Sequence, residues 1–454
     1  MATIVPFKGL RYNPGRIEEM AKVVTPPYDV IDTDAQDRYY KRHPYNIIRL
    51  EYGKTYPEDD EADNRYTRAA RDFDAWTKDG VLITETEPAL YLYEQEFFAG
   101  GEKKIRSGFI CGVKLEPYDK GIVLPHEETI PKHKADRLDL MRACRANFSP
   151  IFSLYADKEK KVEQSLREAV ARTLPDISFT DEIGESHRMW VITDQAVISK
   201  VQQIMADKRI FIADGHHRYE TALNYKMERE AQHAQNEPYN YMMMTLVNLY
   251  DPGLVVLPTH RLIKNVDNLD IRRIIERIKD SFVVEEHRLG ANGSSLQELI
   301  KLMAERGQVG KDKGKAPLTQ DTLAYHPHVF GLYAGENIFY LLQLKNEKEL
   351  SEIMPQGKSP AWQGLDVSIL HSLVVDRLLG IGGELMAKAE HITYTREEEV
   401  ALSLVDRGEC QLALFLNPTF VEEVINVANN GEKMPQKSTF FYPKLITGLV
   451  VNQL

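Results

Sequence analysis

The sequence predicts a mixed α/β fold, and two local patterns carry this prediction. The apolar, β-prone run Ile210–Ala213 is followed directly by polar residues and then by the amphipathic segment Tyr219–Glu230, which indicates a strand, a tight turn and a helix. Residues 89–98 and 105–115 alternate apolar and polar side chains on either side of a Gly-Gly pair. Such alternation around a glycine turn is typical of a β-hairpin.

Composition limits the class of protein. The chain has 454 residues, of which 43% are hydrophobic, enough for two or three packed domains. The net charge of −11 argues against a sequence-independent nucleic-acid binder, which needs a basic excess. No apolar run approaches the ~18 residues of a membrane span, and the first residues lack a signal-peptide pattern. We therefore expect a cytoplasmic protein with neither nucleic acid nor membrane as partner, and three reduced cysteines.

Further elements follow from hydrophobic periodicity. Helices are predicted where apolar residues recur on one helical face, and strands where apolar runs end at turn residues. Asp366 or Ser368 is expected to cap the helix that follows it. The predicted helices are Asp63–Lys78, Asp136–Ala146, Asp157–Arg172, Thr193–Lys208, Ile271–Lys279, Ser295–Arg306, Ser368–Leu379 and Pro418–Ala428. The predicted strands are Tyr239–Val247, Leu254–Leu257, Val329–Tyr333, Ile338–Leu344 and Gln411–Leu416.

The turn after the Ile210–Ala213 strand has the composition of an anion site. Asp214 is the expected N-cap, and Gly215 allows the backbone to turn. A helix start offers unpaired backbone N–H groups and a positive dipole end, to which His216, His217 and Arg218 add donors and charge. Phosphate is the obvious ligand. The alternative is a capping Asp beside two histidines in a structural network.

A second polar stretch, Leu124–Leu138, places three carboxylates, two histidines and three bases between a short strand and a helix. A solvated charged turn is the ordinary explanation of such a run. In the helix that follows, Arg142 and Arg145 are one turn apart and could clamp a phosphate. Ordinary exposed helix charges are the other interpretation.

Two further segments carry candidate binding residues. Paired prolines fix the path of the chain before Tyr28 and Asp29, which makes this loop either a binding edge or a structural corner. Near the C-terminus, the segment Met434–Leu445 combines lysines and hydroxyl groups that could reach an anion, unless it is a docked structural tail. The polar residues of that segment are Lys437, Ser438, Thr439 and Lys444.

These four segments together resemble the DUF1015 family, which is similar to the ParB/sulfiredoxin superfamily and to its archaeal free-serine kinases. The motifs are Pro26-Pro27-Tyr28-Asp29-Val30, His126-Glu127-Glu128-Thr129, Asp214-Gly215-His216-His217-Arg218-Tyr219-Glu220 and Lys437-Ser438-Thr439-Phe440-Phe441-Tyr442. The resemblance implies a ParB-like core at residues 86–260, an N-terminal segment, 1–85, that packs on it, and a C-terminal α/β domain, 261–454, whose tail returns to the site.

The resemblance also implies roles. Glu127 would be the catalytic base, with Glu128 as the alternative, and Asp214 and His126 would act beside it. The phosphate of a nucleotide, ATP or ADP with Mg²⁺, would be held by Gly215, His216, His217, Arg218, Arg142, Lys437, Ser438 and Thr439, and the substrate by Tyr28, Asp29 and Lys444.

The predicted function is therefore phosphoryl transfer on a small hydroxylated metabolite, with free serine or phosphoserine first. A ParB-type nucleotide-binding regulator is one alternative. A metal-dependent hydrolase that uses His126, Asp214, His216 and His217 as ligands is another.

Overall fold

The chain divides into two units, each with a sheet of its own. The first comprises Met1–Val255 together with Phe441–Leu454, and the second comprises Val256–Phe440. Residues 1–85 therefore belong to the same unit as the predicted core, and the last residues of the chain return to it. The computed structural model describes residues 2–127, 131–230, 237–290, 293–307, 328–345, 350–383, 385 and 390–454.

A nine-stranded mixed sheet forms the centre of the first unit, in the order β6-β11-β8-β12-β5-β4-β10-β9, with β1 paired to β5. Two short pairs, β2 with β3 and β7 with β21, lie outside it. The mixed α/β class is confirmed, while the relation to ParB and sulfiredoxin stays a prediction. The strands are β1 (Ile4–Val5), β2 (Leu10–Tyr12), β3 (Leu82–Thr84), β4 (Leu90–Ala99), β5 (Glu102–Lys114), β6 (Val123–Leu124), β7 (Ala146–Asn147), β8 (Ile151–Tyr155), β9 (Ile177–Thr180), β10 (Ser186–Ile192), β11 (Ile210–Asp214), β12 (Tyr241–Asn248) and β21 (Asn452–Gln453).

The predicted hairpin is the pair β4 and β5. Ala99 lies opposite Glu102, and the two residues between them, Gly100 and Gly101, have φ values of +60° and +77°. Glycine adopts this left-handed region without steric cost, and it sets the register of a long antiparallel pair.

Helices pack beside this sheet. In α3, Asn64 accepts hydrogen bonds from the backbone N–H groups of Tyr66 and Thr67, which caps the helix, and Phe73 and Trp76 are buried on one face. The predicted helical face of this segment is confirmed. The helices of the first unit are α1 (Thr33–Arg42), α2 (Ile48–Glu51), α3 (Arg65–Lys78), α4 (Pro131–Cys144), α5 (Lys161–Val170), α6 (Gln195–Met205) and α7 (His216–Glu230).

The second unit contains a six-stranded sheet in the order β15-β17-β16-β19-β14-β18, in which every pair is antiparallel. Its apolar core is lined by residues such as Phe330, Leu342 and Leu414. The remaining strands are β13 (Val255–Leu257), β14 (His260–Ile263), β15 (Phe282–Arg288), β16 (Val329–Tyr333), β17 (Ile338–Leu344), β18 (Ile392–Thr395), β19 (Leu412–Phe415) and β20 (Phe440–Tyr442). The helices are α8 (Ile271–Ile278), α9 (Leu296–Gly307), α10 (Leu350–Ile353), α11 (Pro360–Gln363), α12 (Asp366–Leu370), α13 (Glu398–Asp406) and α14 (Val421–Asn429).

One predicted helix differs from its expectation. The segment begins as α12 and continues as a π-helical turn, His371–Asp376, and its N-cap position is occupied by Leu365 without a side-chain cap. The predicted cap by Asp366 or Ser368 is wrong, because Asp366 lies inside the first turn and its Oδ1 is 2.7 Å from His328 Nδ1.

The three cysteines are free and buried. Burial raises the pKa of the Cys144 thiol to about 12, so the neighbouring arginines do not activate it. Within the described ranges, no helix combines the length and the apolar character that crossing a membrane requires.

Candidate functional site

Two predicted motifs meet because β6 and β11 are parallel neighbours. Val123 pairs with Ile210, and Leu124 pairs with Phe211, so both strands end at the same edge of the sheet. Ligands of α/β sheets bind outside the carboxyl ends of such strands. The His126-Glu127 segment thereby lies beside the turn that leads from β11 into α7.

Asp214 is the last residue of β11, and two cations hold its carboxylate. Lys444 Nζ donates to Oδ1 over 2.7 Å, and Arg218 Nη2 donates to Oδ2 over 2.9 Å. The predicted N-cap role of Asp214 is wrong, because α7 begins at His216 and Gly215 precedes it. The carboxylate instead organises two positive charges at the start of the helix.

The electrostatics of this trio follow from burial and charge. Burial alone would raise the pKa of Asp214, but Lys444 and Arg218 outweigh it and hold the pKa well below its ordinary range. Asp214 is therefore ionised throughout the neutral range. Two cations therefore face the Asp214 carboxylate at a place where a helix N-terminus also favours anions.

Arg218 is 6% exposed, and its position depends on Gly215. Its Nη1 donates to the carbonyl oxygen of Pro150 over 2.7 Å. Gly215 has φ +100°, and a Cβ atom there would lie 2.9 Å from Arg218 Nε. Glycine is thus required both for the backbone turn and for the close approach of the guanidinium.

His126 and His216 form a buried pair in defined tautomers. His126 Nδ1 lies 2.5 Å from the carbonyl oxygen of Ile212, which can only accept, so Nδ1 carries the proton. The backbone N–H of His126 donates to His216 Nε2 over 3.2 Å, so that nitrogen is unprotonated. Burial lowers the pKa of His126, which keeps its ring neutral at neutral pH.

The other residues of the two motifs lie at the same edge. Glu127 is partly buried and follows His126 directly, while His217 is partly buried in the first turn of α7. The alternative base, Glu128, lies outside the described residues.

Arg218 also lines a cavity of about 30 Å³ that the sequence did not reveal. Glu51, Arg137 and Ser149, all buried, lie on its wall. Arg137 Nη1 is 3.3 Å from Glu51 Oε1, and Ser149 Oγ donates to the same oxygen over 2.7 Å. The volume suits about two water molecules and no larger ligand. In the sequence, only the adjacent Asp136-Arg137 pair, which the structure places inside α4, indicated a charged contact here.

Tyr28 and Asp29 have different environments. The guanidinium of Arg137 stacks on the buried Tyr28 ring, 4.0 Å from its centroid, and burial raises the pKa of the phenol. Asp29 is exposed. Tyr28 therefore supports the arginine that pairs with Glu51, and contact of either residue with substrate stays a prediction.

The positive charge of Arg142 is already paired with two carboxylates. Its guanidinium is half exposed and binds both oxygens of Glu228, at 2.6 and 3.0 Å, and Oδ1 of Asp139, at 2.9 Å. The pair with Glu228 joins α4 to α7. We leave Arg142 out of the site proposed below, and its contact with phosphate stays a prediction.

The predicted tail residues separate. Lys444 belongs to the first unit and contacts Asp214, whereas Lys437, Ser438 and Thr439 belong to the second unit. There, the Lys437 carbonyl accepts from Arg261 Nη2 over 3.0 Å, and the Ser438 carbonyl accepts from Thr419 Oγ1 over 2.8 Å. Phosphate contact by these three stays a prediction.

The hydrolase alternative is not favoured by this geometry. The single lone pair of His216 Nε2 already accepts a backbone N–H, and the charge of Asp214 is already paired with two cations. The described residues contain one group of three side chains with metal-ligand spacing, and it does not include these histidines.

Comparison with known proteins gives a family. No curated protein matches the chain. Solved structures that align with it include a conserved hypothetical protein from Pyrococcus furiosus, at 14% identity, 73% of this chain, 93% of that chain and a TM-score of 0.32. A free serine kinase in complex with AMP aligns at 14% identity, 72% of this chain, 89% of that chain and a TM-score of 0.32. Residues 4–368 match the family described as "Protein of unknown function (DUF1015)", and the chain belongs to that family.

Proposed function

We propose that this protein is a phosphoryl-transfer enzyme that holds a nucleotide phosphate at the β11–α7 turn and phosphorylates a small hydroxylated metabolite. The observation that carries the proposal is the placement of Lys444 and Arg218 on Asp214 at the N-terminus of α7. Two largely buried cations beside a helix N-terminus are suited to binding an anion.

The phosphate would be bound by the N–H groups of the first turn of α7 and by the two cations. Lys444 and Arg218 have side chains that are 14% and 7% exposed, so solvent screens them little. Preorganised charges of this kind stabilise the oxygen atoms of a transferring phosphoryl group. His217, in the same turn, would add a donor.

Glu127 would accept the proton of the attacking hydroxyl group. In the step, a bond forms between the substrate oxygen and the transferred phosphorus, and the bond from that phosphorus to the leaving phosphate oxygen breaks. The hydroxyl proton passes to the Glu127 carboxylate, and the nucleotide leaves with one phosphoryl group fewer. The support is the parallel pairing of β6 and β11, which brings the two motifs to one edge.

ATP or ADP with Mg²⁺ would be the phosphoryl donor. Both oxygens of Asp214 are engaged with cations, so this carboxylate is not a suitable ligand for Mg²⁺. The ion would come with the nucleotide, whose phosphate oxygens are its usual ligands, and it would supply charge neutralisation there. The protein's own contribution would be Lys444, Arg218 and the helix start.

The substrate class rests on the resemblance of the motifs to those of the free-serine kinases, which makes free serine or phosphoserine the first candidate. A small polar molecule agrees with a site built between strand ends. No other feature of the described residues selects among hydroxylated metabolites.

The test is a thermal-shift panel of ATP, ADP, CTP, pyrophosphate, serine and phosphoserine, with and without Mg²⁺, on the wild type and on Lys444→Met. A ligand that binds the native state raises the melting temperature by mass action. We expect a nucleotide to stabilise the wild type and to have much less effect on the variant. ³¹P NMR with that nucleotide and serine then detects turnover.

A wild type that no phosphate ligand stabilises would end the proposal, and so would equal stabilisation of Lys444→Met. Binding without turnover by any tested hydroxyl compound would favour the ParB-type regulator instead.

A further inference from the structure

A cluster of three side chains, two of them buried, lies at the turn between β9 and β10, apart from the candidate site. It consists of Asp181, Glu185 and His187, and one potential ligand atom from each lies within 4.8 Å of the other two. Among the residues that the structure describes, this is the one such group of His, Cys, Asp or Glu.

Asp181 is held in place by the turn. Its Oδ1 accepts the backbone N–H groups of Ile183, over 3.1 Å, and Glu185, over 2.9 Å. Its Oδ2 lies 3.2 Å from His187 Nε2. The backbone thus fixes the carboxylate with its second oxygen inside the cluster.

His187 has no exposed surface and is oriented by two aromatic residues. Its ring stacks on Phe179 with centroids 4.9 Å apart, and its Nδ1 lies 2.8 Å from the hydroxyl oxygen of Tyr93. Without a metal ion, Nε2 donates to the Asp181 carboxylate and Nδ1 accepts from the Tyr93 hydroxyl group. A metal ion on Nε2 would move the ring proton to Nδ1, which would then donate to the Tyr93 oxygen. Histidines that bind metals with one nitrogen usually donate from the other to an oxygen in this way.

Glu185 has an unsatisfied oxygen. The residue is 5% exposed, and its Oε1 has no hydrogen-bond partner in the described part of the chain. The Tyr442 hydroxyl group hydrogen-bonds to the Glu185 carboxyl group. Buried carboxylates are normally paired, neutral or bound to a metal.

We propose that Asp181, Glu185 and His187 bind a divalent transition metal ion of the Zn²⁺ or Mn²⁺ class. Two carboxylates with one imidazole suit these ions better than Mg²⁺ or Ca²⁺, which prefer oxygen ligands alone. Bonds of about 2.0–2.2 Å place ligand atoms at most about 4.4 Å apart, so a small rotation of the Glu185 side chain closes the site.

The charge of the surroundings agrees with a cation. Arg106, which is 2% exposed, is the cation whose charge acts on Glu185. Arg106 Nη2 is bonded to Gln95. Two carboxylates against one guanidinium leave the cluster with excess negative charge.

A bound ion would have a structural role. Tyr442 bonds to Glu185 and lies two residues before Lys444, so the ion would anchor the segment that carries this lysine. The metal site and the proposed function can be tested separately, because phosphate binding requires only that the segment carrying Lys444 is in place.

The test measures metal binding directly. The full-length protein, without a histidine tag, is stripped with EDTA and titrated separately with Zn²⁺ and Mn²⁺ by calorimetry. We expect one equivalent per chain, and an affinity lower by about tenfold or more in Glu185→Gln. Glu182→Gln is the matched control, since Glu182 lies in the same turn but binds Tyr39 and Arg42, and it should bind metal as the wild type does.

Three results would overturn the proposal. The first is that neither ion binds stoichiometrically, and the second is that Glu185→Gln binds the ion as tightly as the wild type does. The third is loss of binding in His217→Ala but not in Glu185→Gln, which would place the ion at the β11–α7 turn. If Glu185→Gln does not fold in EDTA, pulsed EPR of the wild-type Mn²⁺ complex is the deciding measurement. Coupling of Mn²⁺ to an imidazole nitrogen that is lost in His187→Gln supports the site. A wild-type complex without nitrogen coupling rejects it.

Discussion

The ammonium group of Lys444 lies 2.7 Å from Asp214 Oδ1, across 230 residues of sequence. This ion pair joins the C-terminal segment to the end of β11 and adds a second cation to a carboxylate that Arg218 already binds. The chemistry proposed for the turn depends on this pair, because Lys444 and Arg218 are the two cations that would bind the phosphate.

Asp214→Asn should destabilise the protein by about 3–5 kcal/mol at pH 7, because it leaves two largely buried cations without their carboxylate. The pKa of Asp214 is lowered from its ordinary value of 3.8, so its contribution is complete above pH 3.8 and is lost as the pH falls through the folded-state pKa. Urea unfolding of both proteins at several pH values measures the difference between their free energies of unfolding. This difference should become smaller only below pH 3.8. Asp139→Asn, which removes a half-exposed partner of Arg142, should cost less than about 1 kcal/mol.

Lys444→Met should weaken nucleotide affinity by about 10- to 100-fold, since a charge-assisted hydrogen bond contributes roughly 1.5–3 kcal/mol. The methionine retains the aliphatic part of the side chain and removes the charge. Calorimetric titration with ADP measures the effect, and its dependence on salt should be weaker in the variant. Arg142→Met should bind as the wild type does; a comparable loss there would show that the nucleotide lies along α4 instead.

Glu127→Gln should lower kcat by about 10²–10⁴-fold while leaving nucleotide affinity nearly unchanged, because the amide keeps the shape and cannot accept the proton. Coupled turnover assays and ADP titration separate the two quantities. Glu116→Gln, a partly buried acid paired with Lys114, is the control and should retain full activity. Unchanged turnover in Glu127→Gln would exclude Glu127 as the base.

Gly215→Ala should weaken both stability and phosphate binding. The positive φ of +100° strains an alanine, and its Cβ would displace the Arg218 guanidinium. Gly335→Ala, at φ +90° with open space around its Cβ, shares only the backbone strain. We expect both variants to melt lower and only Gly215→Ala to lose ADP affinity in titration. Normal affinity in Gly215→Ala would mean that Arg218 does not contact the phosphate.

Much of the local structure could be predicted because it depends on neighbouring residues. The Gly100-Gly101 turn and the apolar face of α3 follow from backbone freedom and from helical periodicity, and both are present. Strands β9 and β10 were not predicted, since their burial alternates irregularly and β9 contains only four residues. The Asp181 cluster between them was missed for the same reason.

By itself, the sequence determined the mixed α/β class, the strand, turn and helix around Asp214, and the family to which the motifs belong. Only the tertiary structure decided which charges meet there. Lys444 reaches Asp214, whereas Arg142 is paired with Glu228, 86 residues away. Local sequence patterns indicate periodicity and turn chemistry within a few residues. An ion pair between distant residues depends on how strands and helices pack in space, which local patterns do not specify.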